Sequence, residues 1–356
     1  MLKNKTVVTV SGIRPDFIRM SEIFKKLDSN FNHILIHSGQ HFDKLLSDIF
    51  FDELNIRKPD YNLSIGGKGK EHFHQSSELS IKLIELLREK SINPDIILFL
   101  GDSNSVTVSV PLKKEGYKIG HIEAGMRSYD RRMLEEINRV VCDHCSDYLF
   151  VYHDNYKEKA LREGISEDNI YVVGNTIVEV VNKLNLTGES GRDKILLDVH
   201  RPENFNYEVR LRNIIEMSNK LGEMYNIPVK LLSFKRTMDK IKEFKIDIGN
   251  IEVTNLMSFK DYTKEVYHSK FIISDSGTAQ EEPSLLGTPV IVPRDYTERP
   301  ESVDNKCSLM VDVNDGNIDL EKIVYWLDND FNEYDTKWLG EGKTSDKIIN
   351  ILKERL

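Results

Sequence analysis

The sequence predicts an α/β protein with two doubly wound domains, each built around a parallel β-sheet. Short runs of β-branched residues alternate with longer helical stretches along the chain. The runs are apolar throughout and alternate little, as expected for strands that helices cover on both faces. The pattern restarts near residue 190, and 356 residues are too many for one ordinary hydrophobic core.

The first domain is expected over residues 1–175 and contains six strand-like runs. Helical stretches such as 20–27 and 79–90 separate these runs. The runs are TVVTV (6–10), HILIHS (33–38), DIILFL (95–100), KIGHIEA (118–124), DYLFVY (147–152) and NIYVVG (169–174).

The second domain is expected over residues 190–340 and has a second set of runs. Residues 175–194, between the sets, have the pattern of a helix followed by a polar linker. The final stretch, 341–356, contains an amphipathic helix whose pattern suits either domain. The second set is KILLDV (194–199), PVKLLSF (228–234), NIEVT (250–254), KFIIS (270–274), TPVIV (288–292) and SLMVDV (308–313).

Composition narrows the function. The formal net charge is −9, which argues against broad binding to nucleic acid or anionic membranes. The N-terminus reads as a first strand and not as a signal peptide, and no run is long enough to span a membrane. Three cysteines make a disulfide framework unlikely, so we expect a cytoplasmic protein.

Polar residues that follow strands are the first candidates for a site, because open α/β sheets bind ligands at the carboxyl ends of their strands. Arg14 follows the first strand at a helix N-terminus, which favours an anion. Asp102 closes an apolar run, where functional carboxylates and helix caps are both common. Glu123 lies between apolar and tiny residues, so it should be partly buried and suited to acid or base catalysis, or else paired with Arg127.

The stretch LEEINRVVCDHC carries a second group of candidates. Glu135 and Arg139 form an i,i+4 pair, which commonly just stabilises a helix surface. Neighbouring glutamates point about 100° apart on a helix, so at most one of them faces a given site. A zinc site needs about four ligands, and no second cysteine pair exists. We therefore interpret Cys142 and Cys145 as packing residues of the helix.

Candidate residues in the second domain are of the types that bind a nucleoside diphosphate. His200 follows a strand and is either a phosphate partner or an ordinary loop histidine. A later strand runs into Asp-Ser-Gly-Thr and a helix, where hydroxyl donors and a close backbone approach favour phosphate. A glutamate one to two turns into that helix could accept both hydroxyls of a ribose. These residues are Ser276, Gly277, Thr278 and Glu282, and Arg299 after the next strand is a second diphosphate candidate.

Nine motifs, in order, resemble the non-hydrolysing UDP-N-acetylglucosamine 2-epimerase family over about residues 6–313. The motifs are GIRPDFIRM, HSGQHFD, GDSNS, HIEAGMRS, LEEINR, GNT, VHRPENF, DSGTAQEEPSLLGTP and RDYTERPE. The resemblance implies two doubly wound Rossmann-like domains facing a cleft (GT-B-like), with helix 341–356 crossing back to the first domain. It implies a catalytic set of Arg14, Asp102, Glu123, Glu135 and His200, and it implies that Ser276, Gly277, Glu282 and Arg299 hold UDP. We also expect Arg19, Tyr262 and Thr278 to bind substrate.

The resemblance implies C2 epimerisation of a UDP-2-acetamido sugar, first of all UDP-GlcNAc to UDP-ManNAc. The family's proposed route eliminates UDP to 2-acetamidoglucal and adds it back with the C2 proton on the other face. Carboxylates would move the proton and cations would stabilise UDP, without a redox cofactor or an obligatory metal. The expected partners are a UDP-sugar and a second copy of the chain in a homodimer, with no nucleic acid and no membrane.

The chain departs from the family pattern at several positions. Arg19 replaces a lysine, Leu134 a proline and Thr278 the second glycine of DSGG. The segment LLSFKRT (231–237) lacks a histidine, which argues against regulation by a second UDP-sugar, although Gln40 and His41 are present.

Four alternatives stay open on the sequence. The first is a 2-epimerase for another UDP-2-acetamido sugar, and the second is a hydrolysing epimerase that releases UDP. The third is a glycosyltransferase of the same fold, which would have little use for three carboxylates in the cleft. The fourth is a non-catalytic UDP-sugar sensor, against which the intact carboxylates argue.

Overall fold

Two compact units make up the chain in a computed structural model that describes residues 2–39, 51–66, 71–186 and 191–356. The first unit contains Met1–Lys183 and Leu339–Leu356, and the second contains Leu184–Trp338. Each unit has its own parallel sheet with helices, so the α/β prediction is confirmed.

The first unit holds a seven-stranded sheet within the described ranges, in the order β3-β2-β1-β4-β5-β6-β7. Every neighbouring pair is parallel. All six predicted strands are confirmed, and among the described residues the sequence missed only the two-residue edge strand β3. The strands are β1 (Leu2–Ser11), β2 (Phe31–His37), β3 (Tyr61–Asn62), β4 (Ile96–Leu100), β5 (Ile119–Ala124), β6 (Tyr148–Val151) and β7 (Ile170–Val172).

Helices connect these strands and cover the sheet. Apolar residues on both faces of the sheet are buried, and every residue of β4 and β5 is buried, as parallel strands between helix layers require. The helices are α1 (Arg14–Asn30), α2 (His72–Glu89), α3 (Ser109–Lys114), α4 (Leu134–Cys145), α5 (Asp154–Arg162) and α6 (Thr176–Lys183), and residues Asn104–Val108 form a 3-10 helix.

The second unit repeats this plan with a six-stranded parallel sheet in the order β10-β9-β8-β11-β12-β13. The six predicted strands of this set are confirmed. The strands are β8 (Lys194–Asp198), β9 (Val229–Leu232), β10 (Glu252–Thr254), β11 (Ser269–Ser274), β12 (Val290–Val292) and β13 (Ser308–Met310). The helices are α7 (Pro202–Phe205), α8 (Glu208–Tyr225), α9 (Lys235–Glu243), α10 (Phe259–Tyr267), α11 (Glu282–Leu285), α12 (Pro300–Asp304) and α13 (Leu320–Asp328).

The last helix, α14 (Thr344–Arg355), belongs to the first unit, where it contacts α1 and α6. Ile348, Ile349 and Leu352 supply its buried apolar face. Ser345, the second residue of the helix, donates its backbone N–H to Glu179 Oε1 of α6 at 2.8 Å. The amphipathic pattern of the sequence thus has a partner surface within the first unit.

Strand order determines where each unit can bind a ligand. The connections reverse direction between β1 and β4 in the first sheet, and between β8 and β11 in the second. A crevice opens at the carboxyl ends of strands at such a reversal. Candidate residues follow these strands: Arg14 comes after β1 and Asp102 after β4, while His200 comes after β8 and Ser276 after β11. Among the described residues, no helix is long and apolar enough to cross a membrane.

Candidate active site

The turn between β1 and α1 is held by a buried aspartate. Asp16 accepts hydrogen bonds from the backbone N–H groups of Gly12 at 3.0 Å and Ile13 at 3.3 Å, which caps the start of the helix. Burial raises the pKa of Asp16 to about 7, and its two backbone donors only partly oppose this. The turn places Arg14, half-buried, as the first residue of α1.

Two arginines and two carboxylates form an ion network, which we call the carboxylate cluster: Arg19, Asp102, Glu123 and Arg139. All of them are buried except Asp102, which is partly exposed. The Arg19 Nη1 donates to Glu123 Oε2 at 2.6 Å. The Arg139 Nη2 donates to Asp102 Oδ2 at 2.5 Å and to Glu123 Oε1 at 3.1 Å. Arg139 therefore joins the two carboxylates at the ends of neighbouring strands. The structure thus brings together the predicted site residues Arg19, Asp102 and Glu123.

The backbone of Glu123 has a conformation that is unusual for a residue with a side chain. Its φ is +68°, and the register between β5 and β6 is irregular at this residue. Such a bulge re-aims a side chain, and strain of this kind is concentrated at functional sites. The predicted burial of Glu123 is confirmed, but the alternative pairing with Arg127 is wrong, because Arg127 bonds Asp143 and Glu163 instead.

The paired glutamates of α4 have different surroundings. Glu136 is buried and accepts from the backbone N–H groups of Ser128 at 2.9 Å and Tyr129 at 3.1 Å, so it anchors the loop after β5. Glu135 is half-buried in the first turn of the helix. The helix begins at Leu134 without the proline that suits this position.

His200 in the second unit is oriented by two aspartates. Its Nδ1 lies 2.8 Å from Asp198 Oδ1, and its backbone N–H donates to Asp275 Oδ1 at 3.0 Å. Burial lowers the pKa of His200, but the charges of Asp198 and Asp275 outweigh this and raise it above its ordinary value. The three side chains are close enough to hold a metal ion. However, every oxygen of both carboxylates already accepts a hydrogen bond from the protein.

The segment after β11 differs from the predicted single helix. A 3-10 turn over Thr278–Gln280 comes first, and the four-residue helix α11 follows. Glu282 is the first residue of α11 because Pro283 cannot continue a preceding helix. We expected Glu282 to lie one to two turns into a single helix, but it begins the second of two short helices.

Gly277 lies against a buried ion network. A Cβ at this position would lie 2.4 Å from Glu298 Oε1 and 2.7 Å from Arg299 Nη1. The Arg299 Nη1 bonds Glu298, and its Nε lies 2.9 Å from Glu281 Oε1. Burial raises the pKa of Glu298, but neighbouring arginines, Arg299 first among them, outweigh this and hold it well below its usual range.

A small pocket in the second unit gathers three of the predicted substrate-binding residues. Tyr262 of α10, Thr278 and Glu282 line it together with apolar side chains. The Tyr262 hydroxyl also donates to Asp198 Oδ2 at 3.4 Å, and the hydroxyls of Ser276 and Thr278 are 3.1 Å apart. Tyr262 is therefore linked, through Asp198, to His200 at the end of β8.

Sequence reasoning missed several members of both sites: Asp16, Asp198, Glu281 and Glu298. Asp198 was detectable, since it is a charged residue that ends an apolar strand. The interpretation of Cys142 and Cys145 as helix residues is confirmed by α4. Gln40 and His41 lie outside the described residues.

Comparison with known proteins agrees with these features. The family model for UDP-N-acetylglucosamine 2-epimerase matches residues 25–353. The UDP-N-acetylglucosamine 2-epimerase of Methanocaldococcus jannaschii is 35% identical over 96% of this chain and 97% of its own length. The UDP-2,3-diacetamido-2,3-dideoxy-D-glucuronate 2-epimerase of Pseudomonas aeruginosa is 32% identical over 86% of this chain and 88% of its own.

A solved structure agrees over nearly the whole chain. The crystal structure of the Methanocaldococcus jannaschii UDP-GlcNAc 2-epimerase, in complex with UDP-GlcNAc and UDP, has a TM-score of 0.86 and 32% identity. It covers 98% of this chain and 99% of that one. Since the family model and the relatives span most of the sequence, the chain belongs to the UDP-N-acetylglucosamine 2-epimerase family.

Proposed function

We propose that this protein interconverts UDP-GlcNAc and UDP-ManNAc by elimination and re-addition of UDP. The observation that carries the proposal is the carboxylate cluster, in which Asp102 and Glu123 share Arg139 at the carboxyl ends of adjacent strands. Family membership supports the reaction, and the cluster provides carboxylates suited to moving a proton.

The chemistry explains why carboxylates and cations are both needed. The C2 proton of a 2-acetamido sugar is not next to a carbonyl group, so direct removal is difficult. In the proposed route the C1–O bond to UDP breaks, a carboxylate takes the C2 proton, and a C1–C2 double bond forms. UDP then re-forms its bond to C1 while a proton is delivered to the opposite face of C2.

The first unit would perform the proton transfers. Asp102, Glu123 and Glu135 are the proposed carboxylates, and the roles of acid and base are not divided among them. Arg19 bonds one carboxylate oxygen of Glu123 and Arg139 bonds the other, which restricts the rotamers of Glu123 and fixes its orientation. Arg14, at the helix N-terminus, is the proposed cation of this unit for the departing diphosphate.

The second unit would bind UDP. His200, oriented by Asp198, can present its Nε2 to a phosphate oxygen, and its raised pKa favours the imidazolium form. Ser276, Thr278 and Arg299 surround the close approach at Gly277 and are the proposed diphosphate contacts. Tyr262 and Glu282, which lie together at a small pocket, are the proposed contacts of the nucleoside.

The substrate has a runner-up. The Pseudomonas aeruginosa relative is named for a UDP-diacetamido uronate, and Arg19 replaces the lysine of the family pattern with a planar, bidentate donor. A second UDP-2-acetamido sugar is therefore the alternative. A homodimer and a cytoplasmic location remain predictions that accompany the proposal.

Proton exchange at C2 tests the proposal. The protein is incubated with UDP-GlcNAc in D₂O and followed by NMR. Deuterium at C2 together with UDP-ManNAc supports epimerisation, while accumulation of free UDP and sugar indicates the hydrolysing alternative. Exchange only with UDP-2,3-diacetamido-2,3-dideoxy-glucuronate would move the substrate assignment. Binding of UDP-sugar without any exchange would overturn the enzyme proposal in favour of a sensor.

A further inference from the structure

His121 is a fully buried histidine that the proposed reaction does not use. It lies in β5, two residues before Glu123, and both of its ring nitrogens are engaged. The Nε2 lies 2.7 Å from the carbonyl oxygen of Gly101, the residue before Asp102. The Nδ1 lies 2.6 Å from Asp143 Oδ1. Since a carbonyl oxygen can only accept, the Nε2 carries a hydrogen and donates it.

Asp143 extends this contact to the other side of Glu123. Its second oxygen, Oδ2, accepts from the backbone N–H of Gly125 at 3.0 Å and lies 2.7 Å from Arg127 Nη1. The Arg127 Nε and Nη2 form a two-point ion pair with Glu163 at 2.8 and 2.6 Å. One buried carboxylate therefore connects the imidazole to the turn after β5.

We propose that His121 and Asp143 are positioning residues that hold the two turns carrying Asp102 and Glu123 in the geometry for turnover. This inference rests on the proposed function. His121 fixes the turn at Gly101, and Asp143 fixes the turn at Gly125. Neither side chain needs to touch substrate for this role.

Backbone conformation explains why these turns need support. Gly101, Glu123 and Gly125 have φ values of +73°, +68° and +76°. The value at Glu123 is costly for a residue with a Cβ, so surrounding bonds must hold it. The bonds from His121 and Asp143 end on the glycines beside Asp102 and beyond Glu123.

The same unit contains a matched pair with no such role. His33 is buried in β2, with its Nδ1 2.6 Å from Asp28 Oδ1 and its Nε2 2.9 Å from the Thr9 hydroxyl. It pairs with Val7, which pairs with Ile96, the first residue of β4. His121 instead pairs with Phe99, near the carboxyl end of that strand. The His33 pair thus lies near the amino ends of the strands, and the His121 pair lies near their carboxyl ends.

The two histidines also differ in how their surroundings shift the pKa. Burial lowers the pKa of His33, and its contact with Asp28 does not reverse this. Burial would lower the pKa of His121 as well, but the neighbouring Cys142 and Asp143 raise it well above its ordinary value. The pKa shifts of the two histidines therefore have opposite directions.

The test compares His121→Asn with His33→Asn. An asparagine amide mimics the Nδ1 side of histidine, so both variants can keep the bond to their aspartate and lose the bond at Nε2. We expect kcat of His121→Asn to fall about 10- to 100-fold with the KM for UDP-GlcNAc and the Kd for UDP changed less than about threefold. His33→Asn should keep kcat within about twofold of the wild type. Thermal unfolding of both variants measures the structural loss.

A second variant covers poor folding of the first. Glutamine mimics the Nε2 side, so His121→Gln can keep the bond to Gly101, and its kcat should exceed that of His121→Asn. Equal kcat losses in His121→Asn and His33→Asn, or wild-type kcat in both His121 variants, would overturn the inference. A wild-type protein without C2 exchange would instead overturn the proposed function, which separates the two failures.

Discussion

Asp16 is a single buried residue that both caps a helix and has a raised pKa. It caps α1 through Gly12 and Ile13, and it lies near the negative charges of Asp102 and Glu123, which add to the effect of burial on its pKa. A carboxyl group with a pKa of about 7 is partly protonated at neutral pH. The stability of the first unit is therefore linked to pH at the turn that places Arg14.

The sign of this dependence follows from the raised pKa. Between the unfolded pKa of 3.8 and the folded pKa of about 7, the folded state binds more protons, so its stability falls as pH rises. We expect the free energy of unfolding of the wild type, relative to Asp16→Asn, to decrease by up to about 1.4 kcal/mol per pH unit over this window. Urea unfolding of both proteins at pH 5, 6, 7 and 8 measures it. A constant difference across these pH values would contradict the assignment.

Glu123 gives the sharpest functional prediction for a single residue. Glu123→Gln keeps the size of the side chain and removes a charge between Arg19 and Arg139. We expect C2 exchange to fall about 100- to 10,000-fold, while UDP binding by titration calorimetry stays within about threefold. Glu22→Gln is the control, because Glu22 is a buried, lysine-paired glutamate of α1 outside the cluster. Unchanged turnover in Glu123→Gln would remove this residue from the catalytic set.

At the scale of elements, the two short helices after β11 create the narrow approach at Gly277. The break between them follows from Pro283, and it places Thr278 and Glu282 on one pocket with Tyr262 of α10. The glycine has an ordinary φ of −61°, so its requirement comes from the neighbouring side chains and not from backbone strain.

Gly277→Ala should therefore weaken UDP binding by crowding Glu298 and Arg299. Crowding of this kind costs about 1–3 kcal/mol, which corresponds to a rise in the Kd for UDP of about 5- to 150-fold. Gly316→Ala is the matched control, since the nearest atom to its Cβ is Asn213 Oδ1 at 3.9 Å. Titration calorimetry with UDP compares the two. An equal Kd for both variants would show that the ion network can shift without cost.

At the scale of the whole molecule, the chain leaves the first unit at Lys183, builds the second, and returns at Leu339. Helix α14 then completes the first unit against α1, the helix that begins at Arg14 and carries Arg19. The last residues of the sequence thus support the helix that contributes to the carboxylate cluster.

Leu352→Ala should loosen α1 without affecting the second unit. Removing a buried leucine side chain costs about 2–5 kcal/mol, and Leu352 is fully buried. We expect faster hydrogen exchange of α1 and α14 amides, with α8 and β11 unchanged, as measured by mass spectrometry. Lys353→Ala, at the exposed neighbouring position, is the control. Uniform exchange changes in both units would contradict the assignment of α14 to the first unit.

The sequence by itself determined the strands and the candidate residues at their ends. A continuous apolar run predicts a strand that is buried on both faces. This pattern is local to the strand and does not depend on the strand's position in the sheet. The two-residue strand β3 was missed for the same reason, since it has no run to detect. Polar residues at the carboxyl ends were predictable because parallel sheets bring those ends together.

Only the tertiary structure decided which charges meet. Arg19 and Glu123 are 104 residues apart, and Arg139 bonds Asp102 and Glu123 from 37 and 16 residues away. Asp143 lies between Cys142 and Cys145 in the sequence, yet its partners are His121, Gly125 and Arg127. Ion-pair partners depend on strand order and on bulges such as the one at Glu123, and these arise from the packing of the whole unit.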